Sequence, residues 1–299
     1  MRSTPSAKPD FLTTRELAAL LRVKERKVYE LAASGEVPCR KLTGKLLFPR
    51  AEIEAWLHGP DGARSPGPAP ERPSVMVGSH DPLLEWALRE SGSGLAAFLD
   101  GSLDGLERMR RGEAAAGGLH LLEGTGEEFN VEHVREALGG EPVVLLEWAW
   151  REQGLILPAG NPLAIRQLGD LRGRRLVPRQ KEAGTHVLFQ RLAEREGLAL
   201  NAFSLLEPPA RTQTDVALAV ASGDADAGLG LACVAKQFKL TFVPLTRERY
   251  DVVVYRRAYF EPPFQRLLAF CRTRRFLERS GELGGYDVSG FGRVHYNAP

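Results

Sequence analysis

Val75-Met-Val-Gly-Ser-His-Asp-Pro-Leu-Leu84 reads as a short apolar strand, a Gly78-Ser79-His80 turn and a helix opening at Asp81-Pro82. Proline is pre-set for the first helical turn, and an Asp just before it caps free amides. A strand that delivers Gly and Ser to a helix N-terminus makes a ready anion site, because the first-turn N–H groups and the helix dipole both favour negative charge. An isolated turn of this kind is also common in proteins that bind nothing there, so its meaning depends on what surrounds it.

Working outward, the chain after Leu84 alternates short apolar runs with amphipathic helices. Helix 82–90 leads to a strand near Leu95–Leu99, then Asp100-Gly-Ser102, a helix over Leu103–Arg110, and a turn and buried strand in Gly112–Leu122. Pro142–Trp150 and Arg151–Leu157 read as two successive strands. A second unit opens with the strand Arg175–Pro178, the polar loop Arg179–Gly184 and the helix Thr185–Ala193. It continues through Ala210–Asp215 into the helix Val216–Ala221, and through Gly223–Leu231 into a buried strand. Phe242–Leu245 and Asp251–Tyr255 read as strands returning between the units, with helices over about 262–280 closing the chain. Strands spaced by helices predict βαβ units and a largely parallel sheet, hence an α/β fold built of two similar lobes.

Upstream lies a different pattern. Thr13 and Glu16 form a capping box for a helix running to Leu21, with Leu17, Leu20 and Leu21 as its apolar positions. After a turn at Arg22-Val23, a second helix runs from Lys24 to about Ser34. Val28, Leu31 and Ala32 form its apolar side, and Gly35 stops it. Val37–Phe48 makes a hairpin wing joined at Thr43-Gly44, and Pro49-Arg50 starts a closing helix whose Ile53, Trp56 and Leu57 return to the small core. Residues 1–10 are expected to be disordered, and residues 59–73, rich in Pro and Gly, to be a tether.

Among 299 residues the formal net charge is only +2, but its distribution is uneven: residues 1–58 hold 11 Lys and Arg against 7 Asp and Glu, the remainder 29 against 31. A positive excess on the second helix and the wing is suited to a polyanion. Arg22, Lys24, Arg26, Lys27, Tyr29, Arg40, Lys41 and Lys45 are the expected contacts to double-stranded DNA. Three scattered cysteines form neither a disulfide framework nor a zinc spacing. No leader-like apolar segment and no membrane-length apolar run occurs, so a cytoplasmic protein with no membrane partner is expected. The absence of a Gly-x-Ser-x-Gly elbow, a P-loop, a Gly-x-Gly-x-x-Gly and a His-Glu-x-x-His argues against an enzyme; no cofactor or metal is expected.

Residues 11–57 resemble the excisionase-type branch of the MerR-related winged helix-turn-helix proteins. Leu12-Thr-Thr-Arg-Glu-Leu-Ala18, Val28-Tyr-Glu-Leu31, Gly35-Glu-Val-Pro38 and Phe48-Pro-Arg50 before Ile53 and Trp56-Leu57 carry the likeness. The family commonly caps the second helix with Ser; Val23-Lys24 stands there in this chain, implying a looser helix start. Residues 75–290 resemble the type II periplasmic-binding-protein fold, in a cytoplasmic branch often found behind a helix-turn-helix. Gly78-Ser-His-Asp81, Gly101-Ser102, Gly118-Leu-His-Leu121, Arg151-Glu-Gln-Gly154, Arg179-Gln180, Gly184-Thr185, Gly223–Gly230 and Gly284–Val288 carry this second likeness. It implies a two-lobed sensor over residues 74–299 behind a winged helix-turn-helix domain over 11–58. It also implies a ligand between the lobes, molybdate or tungstate being the association of related domains.

Loops at strand ends and helix N-termini meet such a ligand. Ser79, His80, Ser102 and His120 are the expected contacts from the first lobe, and Arg179, Gln180, Thr185, Thr214 and Asp215 those from the second, with Thr212 and Gln213 as neutral donors beside Thr214 ahead of the helix Val216–Ala221. The function expected is a ligand-responsive transcription regulator, a homodimer on DNA because one short recognition helix gives limited affinity. The same architecture sensing an organic metabolite, an excisionase-like architectural factor, and an enzyme of molybdenum-cofactor metabolism remain open alternatives. Arg26→Ala or Lys27→Ala should weaken DNA binding and reduce the slope of log affinity against log salt by roughly one. An unchanged slope in both variants would mean that the recognition helix lies elsewhere.

Overall fold

The computed structural model describes residues 10–42, 45–58, 71–124 and 128–298. The wing tip at Thr43-Gly44 and most of the expected disordered start and tether lie outside these residues. The chain divides into two compact units, residues 1–71 and 72–299. Arg72, within the expected tether, belongs to the second unit. Its guanidinium lies 3.5 Å over the Tyr255 ring and donates to Met109 O at 2.8 Å.

In the first unit, strand β1 (Phe11–Thr13) precedes helix α1 (Thr14–Leu21), and α2 (Glu25–Ala33) follows a turn at Arg22, whose φ is +55°. The capping box forms as the sequence predicts, with Thr13 Oγ1 accepting from Glu16 N and Glu16 accepting from Thr13 N. Lys24 caps α2 with its backbone alone. Strands β2 (Arg40–Leu42) and β3 (Lys45–Pro49) form the wing, and α3 (Arg50–His58) closes the unit. One element escaped the sequence reading: β1 pairs antiparallel with β3, Leu12 opposite Phe48, so the wing is a three-stranded sheet. Leu12, Leu17, Ala18, Val28, Val37, Phe48 and Ile53 make the core. Leu20, Trp56 and Leu57, expected inside, are exposed. The core is small: α1 turns Thr14, Leu17 and Ala18 inward and leaves Leu20 beside that face, and α3 has run past the core one turn after Ile53.

The second unit begins with β4 (Val75–Gly78), α4 (Pro82–Glu90), β5 (Ala96–Phe98), α5 (Ser102–Arg110) and β6 (Ala116–Leu119). The small pair β7 (Leu122–Glu123) and β8 (Glu128–Phe129) leads to α6 (Val131–Leu138), a helix the sequence reading passed over. Then come β9 (Val143–Leu157), β10 (Arg175–Val177), α7 (Gly184–Arg195), β11 (Ser204–Leu205), α8 (Gln213–Ala221), β12 (Ala227–Leu231) and α9 (Ala232–Gln237). Strand β13 (Thr241–Tyr255), helices α10 (Arg256–Tyr259), α11 (Pro262–Cys271) and α12 (Arg274–Leu283), and strands β14 (Tyr286–Asp287) and β15 (Val294–Asn297) complete it.

Ten strands form one sheet in the order β11-β10-β12-β9-β13-β6-β4-β5, with β14 and β15 on the free side of β9. β4 runs parallel to β5 and β6 in the first lobe, and β10 parallel to β11 and β12 in the second. The two long strands correct the sequence reading. Residues 143–157 form one strand, not two, and so do residues 241–255; they pair antiparallel from Tyr255↔Val143 to Thr241↔Leu157. Polar Arg151–Gln153 and Arg247–Arg249 interrupt the apolar pattern where the strands pass between two hydrophobic cores, so each strand looked broken. One core fills the first lobe, and two others cover the faces of the second. The whole is the two-lobed type II periplasmic-binding-protein fold behind a helix-turn-helix unit.

Gly118 marks how tightly the crossing is packed. A Cβ there would lie 1.9 Å from Tyr250 Oη, and that ring is fully buried with its hydroxyl donating to Ser79 O at 2.6 Å. Gly118→Ala should therefore destabilise the sensor unit by about 1–3 kcal/mol, while Gly140→Ala, which meets nothing within 4 Å, should leave it unchanged. Equal urea midpoints for the two variants would contradict this packing.

Candidate functional site

Where β9 and β13 cross between lobes, the side chains stop being apolar. Arg151, on β9, is buried and donates from Nη1 to Asp81 Oδ2 at 2.9 Å and from Nη2 to Glu248 Oε1. Its guanidinium also covers the Tyr250 ring at 4.3 Å. Asp81 serves three partners, since its other oxygen caps α4 by accepting from Leu84 N at 2.7 Å and Tyr286 Oη donates to Oδ2. Glu248 is equally committed, with Gln153 Nε2 on Oε1 at 2.9 Å and His120 Nδ1 on Oε2 at 2.8 Å. Burial alone raises the Glu248 pKa, but the Arg151 charge, with His120 and Gln153, outweighs it and holds the carboxyl at about 2.

From this centre the network reaches the loops that the sequence singled out. Ser79, at the end of β4, lies 2.8 Å from His120 Nε2, and Ser102 Oγ accepts from His120 N at 3.3 Å. All three residues are buried. Across the cleft, the N-terminus of α7 abuts the same imidazole, and a Cβ on Gly184 would lie 2.7 Å from His120 Cε1. Only glycine permits that approach. Thr185, next in the chain, accepts from Gln213 Nε2 at 3.0 Å. The lobes touch beside it: Leu103 N donates to Glu182 O at 3.2 Å, and Arg211 Nη2 lies 3.4 Å from Asp100 Oδ1. Helices α5 and α7 thus point their N-termini at one another, and neither carries a side-chain cap.

Arg179 differs in kind from Arg151. Its Nε donates to Ala210 O at 3.1 Å and its Nη2 to Arg211 O at 2.8 Å, while Nη1 has no partner and is buried. Among the described residues no carboxylate comes within ion-pair distance of this guanidinium. Burial lowers its pKa to about 10; the Asp215 charge raises it and the Arg151 charge lowers it further. A buried cation that lacks a counter-charge is costly unless something supplies one. Arg151 Nε, Gln153 Oε1 and Gln213 Oε1 are further buried polar atoms without partners.

Of the nine residues expected to meet a ligand, the structure gathers Ser79, Ser102, His120, Arg179 and Thr185. His80 is tied to α4, its Nε2 3.1 Å from Glu85 Oε2, and its Nδ1 is buried without a partner. Gln180 is half-buried and donates to Asp100 O, tying the lobes together at the rim. Thr214 and Asp215 are exposed, and the Asp215 carboxylate closes a capping box with Thr212 by accepting from its N at 2.8 Å. The inward residue of that turn is Gln213, whereas Arg151, Gln153 and Glu248 are residues that sequence reasoning missed. A signal was present: charged and amide side chains set within strand-like runs are costly unless they serve a buried network.

In the first unit Arg22, Lys24, Arg26, Lys27, Tyr29, Arg40, Lys41 and Lys45 are all exposed. Glu30 lies 3.2 Å from Arg26 Nε and 3.7 Å from Lys27 Nζ, and Arg40 pairs with Glu52 at 2.7 Å. Such exposed pairs are weak and exchange readily for phosphate.

Residues 84–272, more than half of the chain, match the PBP superfamily domain, and the chain belongs to that family. Residues 11–59 match a helix-turn-helix domain, a DNA-binding module. The chain is similar to the uncharacterized protein YvgK of Bacillus subtilis (strain 168), 28% identical over 305 residues that take in 94% of this chain and 96% of that one. It is also 35% identical over 80 residues to an uncharacterized protein in the 5' region of the ferredoxin 2Fe-2S gene of Clostridium pasteurianum, covering 26% of this chain and 71% of that one. In fold it is similar to a putative phosphate ABC transporter substrate-binding protein from Clostridium perfringens, solved with bound phosphate. That similarity has a TM-score of 0.53 at 12% identity, over 70% of this chain and 96% of that one.

Burial holds the His120 pKa below the ordinary imidazole range; Glu248 pulls it up, and Arg151 and Arg179 push it down again. A depressed folded pKa stabilises above the unfolded value, about 6.5, and that contribution is lost as pH falls below it. The melting-temperature advantage of the wild type over His120→Gln should therefore be largest at alkaline pH and shrink through the mildly acidic range. A gap independent of pH would show that the imidazole is not held neutral.

Proposed function

We propose that this chain is a one-component transcription regulator whose helix-turn-helix unit binds double-stranded DNA and whose two-lobed unit senses a small oxyanion. One observation carries the ligand class: Arg179 is buried without a carboxylate partner, with Nη1 unused, beside two helix N-termini free of side-chain caps. A small anion supplies the missing counter-charge and accepts from those donors. Ser79, Ser102, His120 and Thr185 are the further ligand contacts of this reading, and Arg22, Lys24, Arg26, Lys27, Tyr29, Arg40, Lys41 and Lys45 are the DNA contacts. Molybdate and tungstate are the ligands that the family resemblance favours. The protein works in the cytoplasm as a homodimer, and the ligand acts by binding the closed arrangement of the lobes better than the open one. The proposal needs no catalytic step and no cofactor.

Isothermal titration of the full chain with molybdate, tungstate, phosphate and sulfate tests it. Binding by one or more, abolished in Arg179→Met, is the expected outcome. Because the substitution removes an uncompensated buried charge, the free variant should melt no lower than the wild type. Silence from all four anions would sink the oxyanion reading.

A second reading is favoured by the order Ser79–His120–Glu248, the sequence of groups that activates a serine nucleophile. Covalent labelling of Ser79 by a fluorophosphonate would establish it; an unlabelled protein leaves Ser79 as a ligand contact.

A further inference from the structure

Within the oxyanion reading, on which this inference rests, we propose that the cleft is built for a tetrahedral anion that carries its own proton, hydrogenphosphate being the simplest, and that Gln153 Oε1 receives the anion's O–H. Glu248, paired with Arg151, is a carboxylate and can only accept. Gln153 must therefore turn its NH2 toward Glu248 Oε1, 2.9 Å away, which settles the orientation of the amide. The other end of that amide, Oε1, is then a carbonyl acceptor, fully buried and without a donor.

The same carboxylate sets a second direction. His120 Nδ1 has to donate to Glu248 Oε2, so Nε2 of the neutral ring carries the lone pair and the Ser79 hydroxyl donates to it. What Ser79 has left to offer is the lone pairs of Oγ. Two acceptors, Gln153 Oε1 and Ser79 Oγ, thus accompany two unused donors, Arg179 Nη1 and Arg151 Nε. Gln213 also leaves one amide end buried without a partner, but the direction of that end is not fixed, because the Thr185 hydroxyl can donate to its oxygen or accept from its NH2.

Sulfate, molybdate and tungstate carry no proton near neutral pH and present acceptors on every side. One of their oxygens would face a buried carbonyl oxygen, which repels it. Hydrogenphosphate and hydrogenarsenate present an O–H to that carbonyl and bare oxygens to the guanidinium groups. A site built around a hydroxyl discriminates strongly against an analogue that lacks it, because its buried partner is then left unpaired.

Titration calorimetry on the full chain at near-neutral pH, using sodium phosphate, sulfate and molybdate, provides the test. Phosphate should bind about a hundredfold or more tighter than either of the others. Gln153→Met, which keeps the length and loses the acceptor, should erase most of that preference by weakening phosphate at least tenfold while leaving sulfate within about twofold. If sulfate or molybdate binds the wild type as tightly as phosphate does, the role given to Gln153 is wrong and the oxyanion reading stands. If no anion binds, the oxyanion reading falls and takes this inference with it. The wild-type ranking is decisive by itself should Gln153→Met fail to fold, and retention of the full preference by a folded Gln153→Met also overturns the assignment.

Discussion

Arg151 holds together parts of the chain that are far apart in sequence. Its guanidinium, shut off from solvent at the crossing of β9 and β13, binds the cap residue of α4 through Asp81 and the middle of β13 through Glu248. Tyr286, near the C-terminus, joins the same cluster through Asp81. Burying one positive and two negative groups is tolerable only because each oxygen has its donor. Loss of any partner leaves an unpaired charge in a low-dielectric interior, at a cost of about 3–5 kcal/mol. The loop that carries Ser79 is thereby held against both long strands.

The polarity of the site follows from that cluster. With Glu248 fixed as a carboxylate, His120, Gln153 and Ser79 have no choice of hydrogen-bond direction, so the cleft presents a set pattern of donors and acceptors. Arg179 was left out of this neutralisation. The contrast between the two arginines, one paired with two carboxylates and the other with none among the described residues, separates the group that maintains the fold from the group to which the proposed anion contact is assigned. Such preorganisation lowers the ordering cost of binding.

Much of the architecture was legible along the chain. The capping box of Thr13 and Glu16, the Asp81 cap and Pro82 start of α4, and the alternation of apolar runs with amphipathic helices all depend on residues a few positions apart, where local sterics and hydrogen bonding decide. The break read into each long strand had an equally physical origin. Polar residues in mid-strand are normally a sign of a turn, and only the pairing of β9 with β13 supplies the partners that make them affordable. Likewise the outward turn of Thr214 and Asp215 follows from the capping box with Thr212, which places Gln213 inward.

The sequence by itself determined the two-unit organisation, the helix-turn-helix character of the first unit, the α/β character of the second, and the strand-end loops that supply Ser79, Ser102, His120, Arg179 and Thr185. Those features are encoded in periodicity, caps and turn residues acting over short range. Tertiary structure alone decided that Arg151, Gln153 and Glu248 join them, that Gln213 and not Thr214 or Asp215 turns inward, and which way each proton in the network points. Val75–Leu84 could announce a loop fit for an anion, but the partner that fixes Ser79 lies just after β6, and the group that orients that partner lies on β13. Contacts between residues separated by 41 and 128 positions leave no imprint on any local pattern, because they exist only once both lobes have been built.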